Sequence, residues 1–129
     1  MAFMMQSMDV GQTPPLEYRQ AAAEETVVLG EALVTNAAGL LTKCGATAKP
    51  EYVAAGPQDE QDMVPVVRVQ DYQVWRTQLS AAGADLKPGS KVTLDTDGLR
   101  VTATTESGVA SIVALEGTAE GESVRVRFG

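Results

Sequence analysis

The sequence predicts an all-β fold of short antiparallel strands, closed as a compact barrel or packed as a sandwich. In residues 89–129, two segments that alternate apolar and polar side chains, 91–95 and 99–104, flank the dipeptide Asp97-Gly98. Asp-Gly between two alternating segments is a strong signal for a β-hairpin. Residues 124–128 alternate in the same way, and no segment carries the sustained 3.6-residue apolar period of an amphipathic helix.

Turn residues and alternation predict the other strands in chain order. A second hairpin is expected around the turn 36–39, between strands at 30–35 and 40–43. Residues 109–115 are apolar enough to form a strand buried on both faces. Proline cannot donate a ladder hydrogen bond, so Pro65 predicts an edge position for its strand. Further strands are expected at 16–19, 51–54, 64–70 and 72–79, with a helical turn or bend at 21–25 and a polar, acidic loop at 56–62.

An offset of 59 residues places similar residues on one another. Gly30 falls on Gly89 and Gly39 on Gly98, and apolar strand residues fall on apolar strand residues. Six of the 41 aligned positions are identical. Two interpretations remain open: a domain made of two similar β-units joined by residues 70–88, or two meanders that share turn spacing without being duplicates.

At 129 residues the chain is long enough for one self-supporting core, which we place in residues 16–129. Residues 1–15 show no periodicity and end in Pro14-Pro15, which favours extended, unpaired backbone. We therefore expect residues 1–15 to form a flexible N-terminal arm.

Composition excludes several classes of function. The formal net charge of −7, with scattered basic residues, argues against binding to a phosphate backbone. No apolar run is long enough to cross a bilayer, so no membrane partner is expected. The chain has no histidine and one cysteine, Cys44. Imidazole-based catalysis, imidazole metal sites and an intrachain disulfide are therefore impossible, and we expect no enzymatic activity, no cofactor and no metal site.

Three local patterns have a functional and a structural interpretation. The segment Asp95–Gly98 resembles part of a calcium loop, but the strand pattern after it favours a plain hairpin turn. Trp75 beside Tyr72 could form a platform for sugar stacking, although a single tryptophan in an alternating strand is more often an anchor in a core or a subunit interface. Cys44 has no partner base in sequence and is predicted to be a small buried apolar residue.

The order of these signals resembles the small cement or head-decoration proteins of tailed bacteriophages and prophages. The similarity covers residues 16–129 and consists mostly of turn glycines and strand alternation. The long start, with its methionines and Pro14-Pro15, departs from the family pattern. The segments that carry the resemblance are VLGEAL (28–33), GLLTK (39–43), VPVVRV (64–69), LKPGSKVTL (86–94) with DGL (97–99), and VRVRF (124–128).

The resemblance implies a non-enzymatic β-barrel or sandwich that binds the outside of an assembled capsid. The implied partner is the lattice of the major capsid protein, the implied assembly is a homo-oligomer, with a trimer favoured, and the implied location is the virion surface after synthesis in the bacterial cytoplasm. A small β-sandwich that binds carbohydrate or another protein is the alternative. The candidate partner-binding residues are Pro14, Pro15, Leu16, Tyr18 and Trp75.

Overall fold

A computed structural model of the chain describes residues 3–8 and 16–128. Ten strands form two five-stranded antiparallel sheets, which confirms the all-β prediction and identifies the fold as a sandwich. We name the sheets after the halves of the chain that supply most of their strands. The C-terminal sheet has the order β1-β7-β10-β9-β8, and the N-terminal sheet has the order β2-β6-β5-β3-β4. The strands are β1 (Met4–Met8), β2 (Leu16–Gln20), β3 (Ala32–Thr35), β4 (Leu41–Lys43), β5 (Tyr52–Ala54), β6 (Met63–Arg68), β7 (Gln73–Gln78), β8 (Lys91–Val92), β9 (Ala110–Leu115) and β10 (Ser123–Phe128).

The main core lies between the two sheets. Strand alternation sends one face of each sheet inward, so Val53 of β5 meets residues such as Ile112 and Val126 of the C-terminal sheet. The aromatic rings of Phe3, Trp75 and Phe128 belong to this cluster. A second, smaller cluster covers the other face of the N-terminal sheet and consists of Ala21, Val27, Leu33, Leu41, Tyr52, Ala54, Val64 and Val66.

Both predicted hairpin turns are present. The Gly39 N–H donates to the Asn36 carbonyl at 2.9 Å, and the Gly98 N–H donates to the Asp95 carbonyl at 3.0 Å. Both glycines have positive φ, 79° and 72°, as such turns favour. The strands beside Asp95–Gly98 are shorter than predicted, because the Leu94 N–H donates to Ala46 and the Val101 N–H to Gln78, outside the hairpin.

The 59-residue offset is reproduced in strand order and in register. Strands β2-β6-β5-β3 of one sheet correspond to β7-β10-β9-β8 of the other. In the N-terminal sheet Val67 pairs with both Leu16 and Val53, and the residues 59 positions later, Val126, Trp75 and Ile112, pair in the same way. From β5 to β3 the register differs from its counterpart by one residue.

A turn outside the strands repeats as well. The Glu31 N–H donates to the Val28 carbonyl at 3.2 Å, and the Glu31 carboxylate accepts from the Val28 N–H at 3.2 Å. At the corresponding positions the Ser90 N–H donates to Lys87 at 3.0 Å, and the Ser90 hydroxyl accepts from the Lys87 N–H at 3.2 Å. Four strands of each sheet therefore share one order, nearly the same register and one turn bond at the 59-residue offset.

The structure corrects the predicted N-terminal arm over residues 3–8. Strand β1 pairs antiparallel with β7, and Phe3 is buried beside Phe128. The Phe3 N–H also donates to the Gly30 carbonyl at 3.1 Å. An isolated short segment shows no periodicity of its own, so its docking onto an existing edge left no signal in the sequence. Residues 9–15 of the predicted arm lie outside the described residues.

Two strand predictions were wrong in detail. Strand β9 is buried on one face only, since Ile112 points inward while Val113 is 39% exposed. Strand β6 is not on an edge, because β2 and β5 flank it. Pro65 is tolerated there because its carbonyl accepts from the Ala55 N–H, one residue beyond the end of β5, so the missing N–H falls where that pairing stops.

Candidate partner-binding surface

An apolar groove of about 480 Å³ opens on one side of the sandwich. One wall is formed by residues of β1 and β7 in the C-terminal sheet, and the other by residues of β2, β5 and β6 in the N-terminal sheet. The groove is apolar because most of its lining residues are apolar side chains of the two facing sheets, which are separated at this side of the sandwich. Its lining residues are Phe3, Met4, Met5, Leu16, Leu29, Val53, Ala54, Ala55, Val67 and Trp75.

Large apolar side chains stand exposed on the rim of the groove. Met4 is 58% exposed, Leu16 54% and Leu29 62%. Tyr18, two residues after Leu16 on the same face of β2, is 65% exposed. Contiguous exposed apolar side chains around a concavity are typical of a surface that another macromolecule covers.

Trp75 lies at the floor of the groove and is 2% exposed. Its ring packs against Phe128, with the centroids 6.3 Å apart and the planes at 49°. Its indole Nε1 has no hydrogen-bond partner among the described residues. A buried indole N–H is normally paired, so this unpaired donor is an exception within the core.

The structure brings two of the predicted partner-binding residues together and separates a third. Leu16 and Trp75 line the same groove, whereas Tyr18 lies beside it on β2. Pro14 and Pro15 lie outside the described residues. The sequence did not single out Met4 or Leu29, although an apolar residue next to the turn glycine Gly30 is a signal that could have marked Leu29.

Charged side chains occupy the opposite face of β2. Glu17 accepts two hydrogen bonds from the Arg68 guanidinium, both at 3.1 Å, and lies 3.7 Å from Arg19. The hydrogen bonds to Glu17 are the largest cause that raises the pKa of Arg68. Arg19 donates to the Tyr52 hydroxyl at 2.6 Å, and both guanidinium groups lie over the Tyr52 ring. This face of β2 is therefore closed by an ionic network, and its apolar face is left open.

Glu31 is a buried acid that sequence reasoning missed. It is 1% exposed, and one carboxylate oxygen accepts from Val28 while the other has no partner among the described residues. Burial raises the pKa of this carboxyl above its ordinary value. The side chain packs below the Asp95–Gly98 turn, since a methyl group on Gly98 would come within 3.0 Å of Glu31 Cγ. The bond from the Val28 N–H gives this carboxylate a structural role in closing the 28–31 turn.

Neither a metal centre nor a membrane-spanning helix is present in residues 3–8 and 16–128: no three His, Cys, Asp or Glu side chains there could hold a metal ion, and no helix is long and apolar enough to cross a membrane. Cys44 is buried, as predicted, and its thiol donates to the Ala48 carbonyl at 3.0 Å. Burial raises the pKa of Cys44 to about 12, which removes it as a nucleophile at neutral pH.

No match emerges when the sequence is compared with protein-family models or with curated proteins. Three features of the chain bear on its function: the groove, the composition and the resemblance of the sequence segments. Of these, the groove is the feature with a defined geometry.

Proposed function

We propose that this protein is a non-enzymatic structural protein that decorates and stabilises the outer surface of a bacteriophage capsid. Its partner would be the lattice of the major capsid protein, and its location the virion surface. The resemblance of residues 16–129 to cement and head-decoration proteins supports this proposal, and the same resemblance favours a trimeric assembly. The all-β sandwich agrees with what that resemblance implies for the fold.

The groove with its exposed rim is the observation that carries the proposal. Met4, Leu16 and Leu29 present flexible or branched apolar side chains that a second protein surface would remove from water. Burial of apolar area contributes about 25 cal/mol per Å², so a few such side chains per copy give a modest affinity. A lattice compensates for modest affinity per copy because many copies bind at fixed spacing.

Net charge supports the same role. A net charge of −7 on 129 residues keeps a protein dispersed at high concentration, as a component needed in many copies requires. The same charge opposes association with nucleic acid, so a contact with packaged genome is not part of the proposal.

The carbohydrate-binding alternative requires an aromatic platform open to solvent. Trp75 is 2% exposed and packs in the core beside Phe128, so it does not offer that platform. Tyr72 is half-buried at the start of β7. This placement favours a protein partner over a sugar.

Co-sedimentation with mature capsids of the cognate phage tests the proposal. The full-length protein is expected to pellet with capsids, and Leu16→Ser and Leu29→Ser are expected to reduce the bound fraction. Val113→Ser is the matched control, because Val113 is an exposed apolar residue of β9 that does not line the groove. Absence of binding by the unmodified protein would overturn capsid decoration. Equal binding by all variants would show only that the groove is not the contact surface.

Point substitutions are preferable here to deletion of residues 1–15. Deletion would remove Phe3 from the core and β1 from the sheet, so lost binding could reflect lost folding.

A further inference from the structure

The strands of the C-terminal sheet differ in charge from the rest of the chain. The chain has 17 acidic and 10 basic residues, yet the five strands of this sheet contain no Asp or Glu. Their basic residues lie on the outer face, because the neighbouring residues along each strand, such as Val92, Val124 and Val126, belong to the core between the sheets. We call this outer surface the cationic face, and it consists of Arg76, Lys91, Arg125 and Arg127.

Two arginines of the cationic face lie directly opposite one another. Arg76 of β7 pairs with Arg125 of β10, and both side chains are exposed. The Arg76 Nε donates to the Ser123 hydroxyl at 3.0 Å, which holds its guanidinium on this face. Like charges directly opposite one another destabilise a strand pair, and an anion that lies between them removes the repulsion.

A pocket of about 140 Å³ lies beside these two arginines, with Ser123 and Glu116 also in its lining. In the described part of the chain, Glu116 makes no ion pair with Arg76 or Arg125. By contrast, Arg68 pairs with Glu17 at 3.1 Å. The pocket therefore presents two guanidinium groups and a hydroxyl to a carboxylate from outside this copy of the chain.

The 59-residue offset shows what the cationic face lacks. On the outer face of the N-terminal sheet, Glu17 accepts two hydrogen bonds from Arg68. The residues 59 positions later are Arg76 and Arg127, so an arginine stands where the other sheet has the acid. Arg125 likewise corresponds to Val66, which is buried in the smaller apolar cluster. An outer face that ion pairs and apolar packing close in one sheet is thus cationic and exposed in the other.

The opposite charge lies on two adjacent loops of the N-terminal sheet, residues 22–25 and 58–62, which we call the acidic loops. The Gln58 side-chain amide connects them, since it donates to the Glu25 carbonyl at 3.2 Å and to the Asp62 carboxylate at 2.9 Å. Among the described residues, none of the acids in these loops has an ion pair. These acids are Glu24, Glu25, Asp59, Glu60 and Asp62.

We propose that the cationic face of one copy of this chain binds the acidic loops of a second copy. The cationic face is turned away from the N-terminal sheet, which carries the acidic loops, so the two surfaces of a single copy do not meet. The planar forks of arginine match carboxylates in geometry as well as in charge. A phosphate polymer fits less well, because a chain of net charge −7 repels a long polyanion beyond the four cations of this face.

The contact is heterologous, since two different surfaces meet and each copy keeps one of each for a further copy. Heterologous contacts form a ring when the rotation between copies closes, and a ring of three is compatible with the trimer proposed above. No residue of the cationic face lines the groove. The inference therefore does not depend on capsid binding.

Charge reversal tests the contact on the full-length protein by analytical ultracentrifugation. Lys91→Glu with Arg125→Glu reverses the cationic face, and Glu24→Lys with Glu60→Lys reverses the acidic loops. All four side chains are exposed, so the core is not disturbed. The unmodified protein is expected to associate, and each double variant to show a dissociation constant raised about tenfold. An equimolar mixture of the two is expected to recover association, because each reversed surface then meets its complement.

Lys49→Glu with Lys87→Glu is the matched control. It changes the net charge by the same amount as Lys91→Glu with Arg125→Glu, but on loops outside the cationic face. This variant is expected to associate as the parent does. Circular dichroism and thermal melting of each variant separate lost association from lost folding.

Zero-length cross-linking provides a second measurement. A carbodiimide joins a lysine amine to a carboxylate in contact with it, and Lys91 is the lysine of the cationic face. Mass spectrometry of the covalent dimer is expected to show Lys91 joined to a carboxylate of the acidic loops.

The inference is overturned if the unmodified protein is monomeric up to about 1 mM. It is equally overturned if the reversed variants associate as the parent does, if the control loses as much association as they do, or if their mixture gains nothing. Cross-links of Lys91 only to carboxylates outside the acidic loops would also overturn it. A monomeric protein whose cationic face binds inorganic polyphosphate would show that a phosphate polymer takes the place of the second copy. In each case capsid binding, measured separately with the groove variants, stands or falls independently.

Discussion

The aromatic cluster at the end of the chain offers a sharp test of the core. Phe128 is fully buried as the last residue of β10, opposite Ala110 of β9. Its ring meets Phe3 edge to face, with centroids 5.1 Å apart and planes at 61°, and Trp75 at 6.3 Å. Removing a buried phenylalanine ring costs about 3–5 kcal/mol through lost transfer energy and a residual cavity. We therefore expect Phe128→Ala to lower the free energy of unfolding by that amount.

Urea unfolding at fixed protein concentration measures this loss. Val113→Ala, on the exposed side of β9, serves as the control and is expected to stay within about 0.5 kcal/mol of the parent. A double-mutant cycle of Phe3→Leu and Phe128→Leu isolates the ring contact, for which we expect a coupling of about 0.5–1.5 kcal/mol. A Phe128→Ala protein as stable as the parent would refute the burial of β10, and zero coupling would refute the docking of Phe3.

Three further predictions follow from single positions. Burial raises the pKa of Glu31 above its ordinary value of 4.5, so the folded state binds a proton more tightly than the unfolded state. The protein therefore loses stability as the pH rises from 4.5 through the pKa of Glu31 in the folded state. Glu31→Gln should therefore be more stable than the parent at neutral pH, and urea unfolding at decreasing pH should show the difference shrinking toward pH 4.5. Gly108→Ala should destabilise by about 1–3 kcal/mol in thermal or urea unfolding, because the new methyl group would lie 2.5 Å from the Lys91 carbonyl carbon, which belongs to the backbone of β8. Cys44, whose pKa burial raises to about 12, should react with a thiol reagent at neutral pH only after denaturant is added, as absorbance of the released chromophore would show.

The sequence predicted the fold class and both hairpin turns, because each depends on local signals. Alternation identifies strands, and the glycines at 39 and 98 provide the positive φ that the turns adopt. The order of strands within a sheet depends on contacts between distant segments, and no local pattern encodes it. The prediction that Pro65 lies on an edge strand was wrong for this reason. The missing N–H of Pro65 limits pairing on one side of β6 at one position, and β2 pairs with the other side.

The strand order that the two sheets share was visible in the sequence only as an ambiguous offset. Strand pairing depends on register and face more than on residue identity, so two β-units can retain the same ladder with few identical residues. Leu16 and Trp75 illustrate this, since they occupy equivalent positions opposite Val67 and Val126 although their side chains differ in size and chemistry. Hydrogen bonds at Val28–Glu31 and Lys87–Ser90 show the same equivalence with different side-chain acceptors.

The candidate site was predicted in part. Leu16, Tyr18 and Trp75 were chosen for their apolar or aromatic character near the start of strands, and Leu16 and Trp75 do meet at the groove. Met4 and Leu29 complete the rim, but their proximity depends on β1 docking against β7 and on the 28–31 turn folding over the N-terminal sheet. Such long-range placement cannot be obtained from spacing along the chain.

The groove originates in a difference between the outer edges of the two sheets. In the C-terminal sheet, β1 pairs with β7 and places Met5 opposite Trp75, so the indole is buried. In the N-terminal sheet, β4 reaches the outer side of β2 at its C-terminal end, where the Ala22 N–H donates to the Leu41 carbonyl at 2.9 Å. Leu16, the counterpart of Trp75 at the other end of β2, remains 54% exposed. A strand that covers Trp75 in one sheet and has no described counterpart over Leu16 in the other therefore leaves an apolar gap between unequal sheet edges, and that gap is the groove.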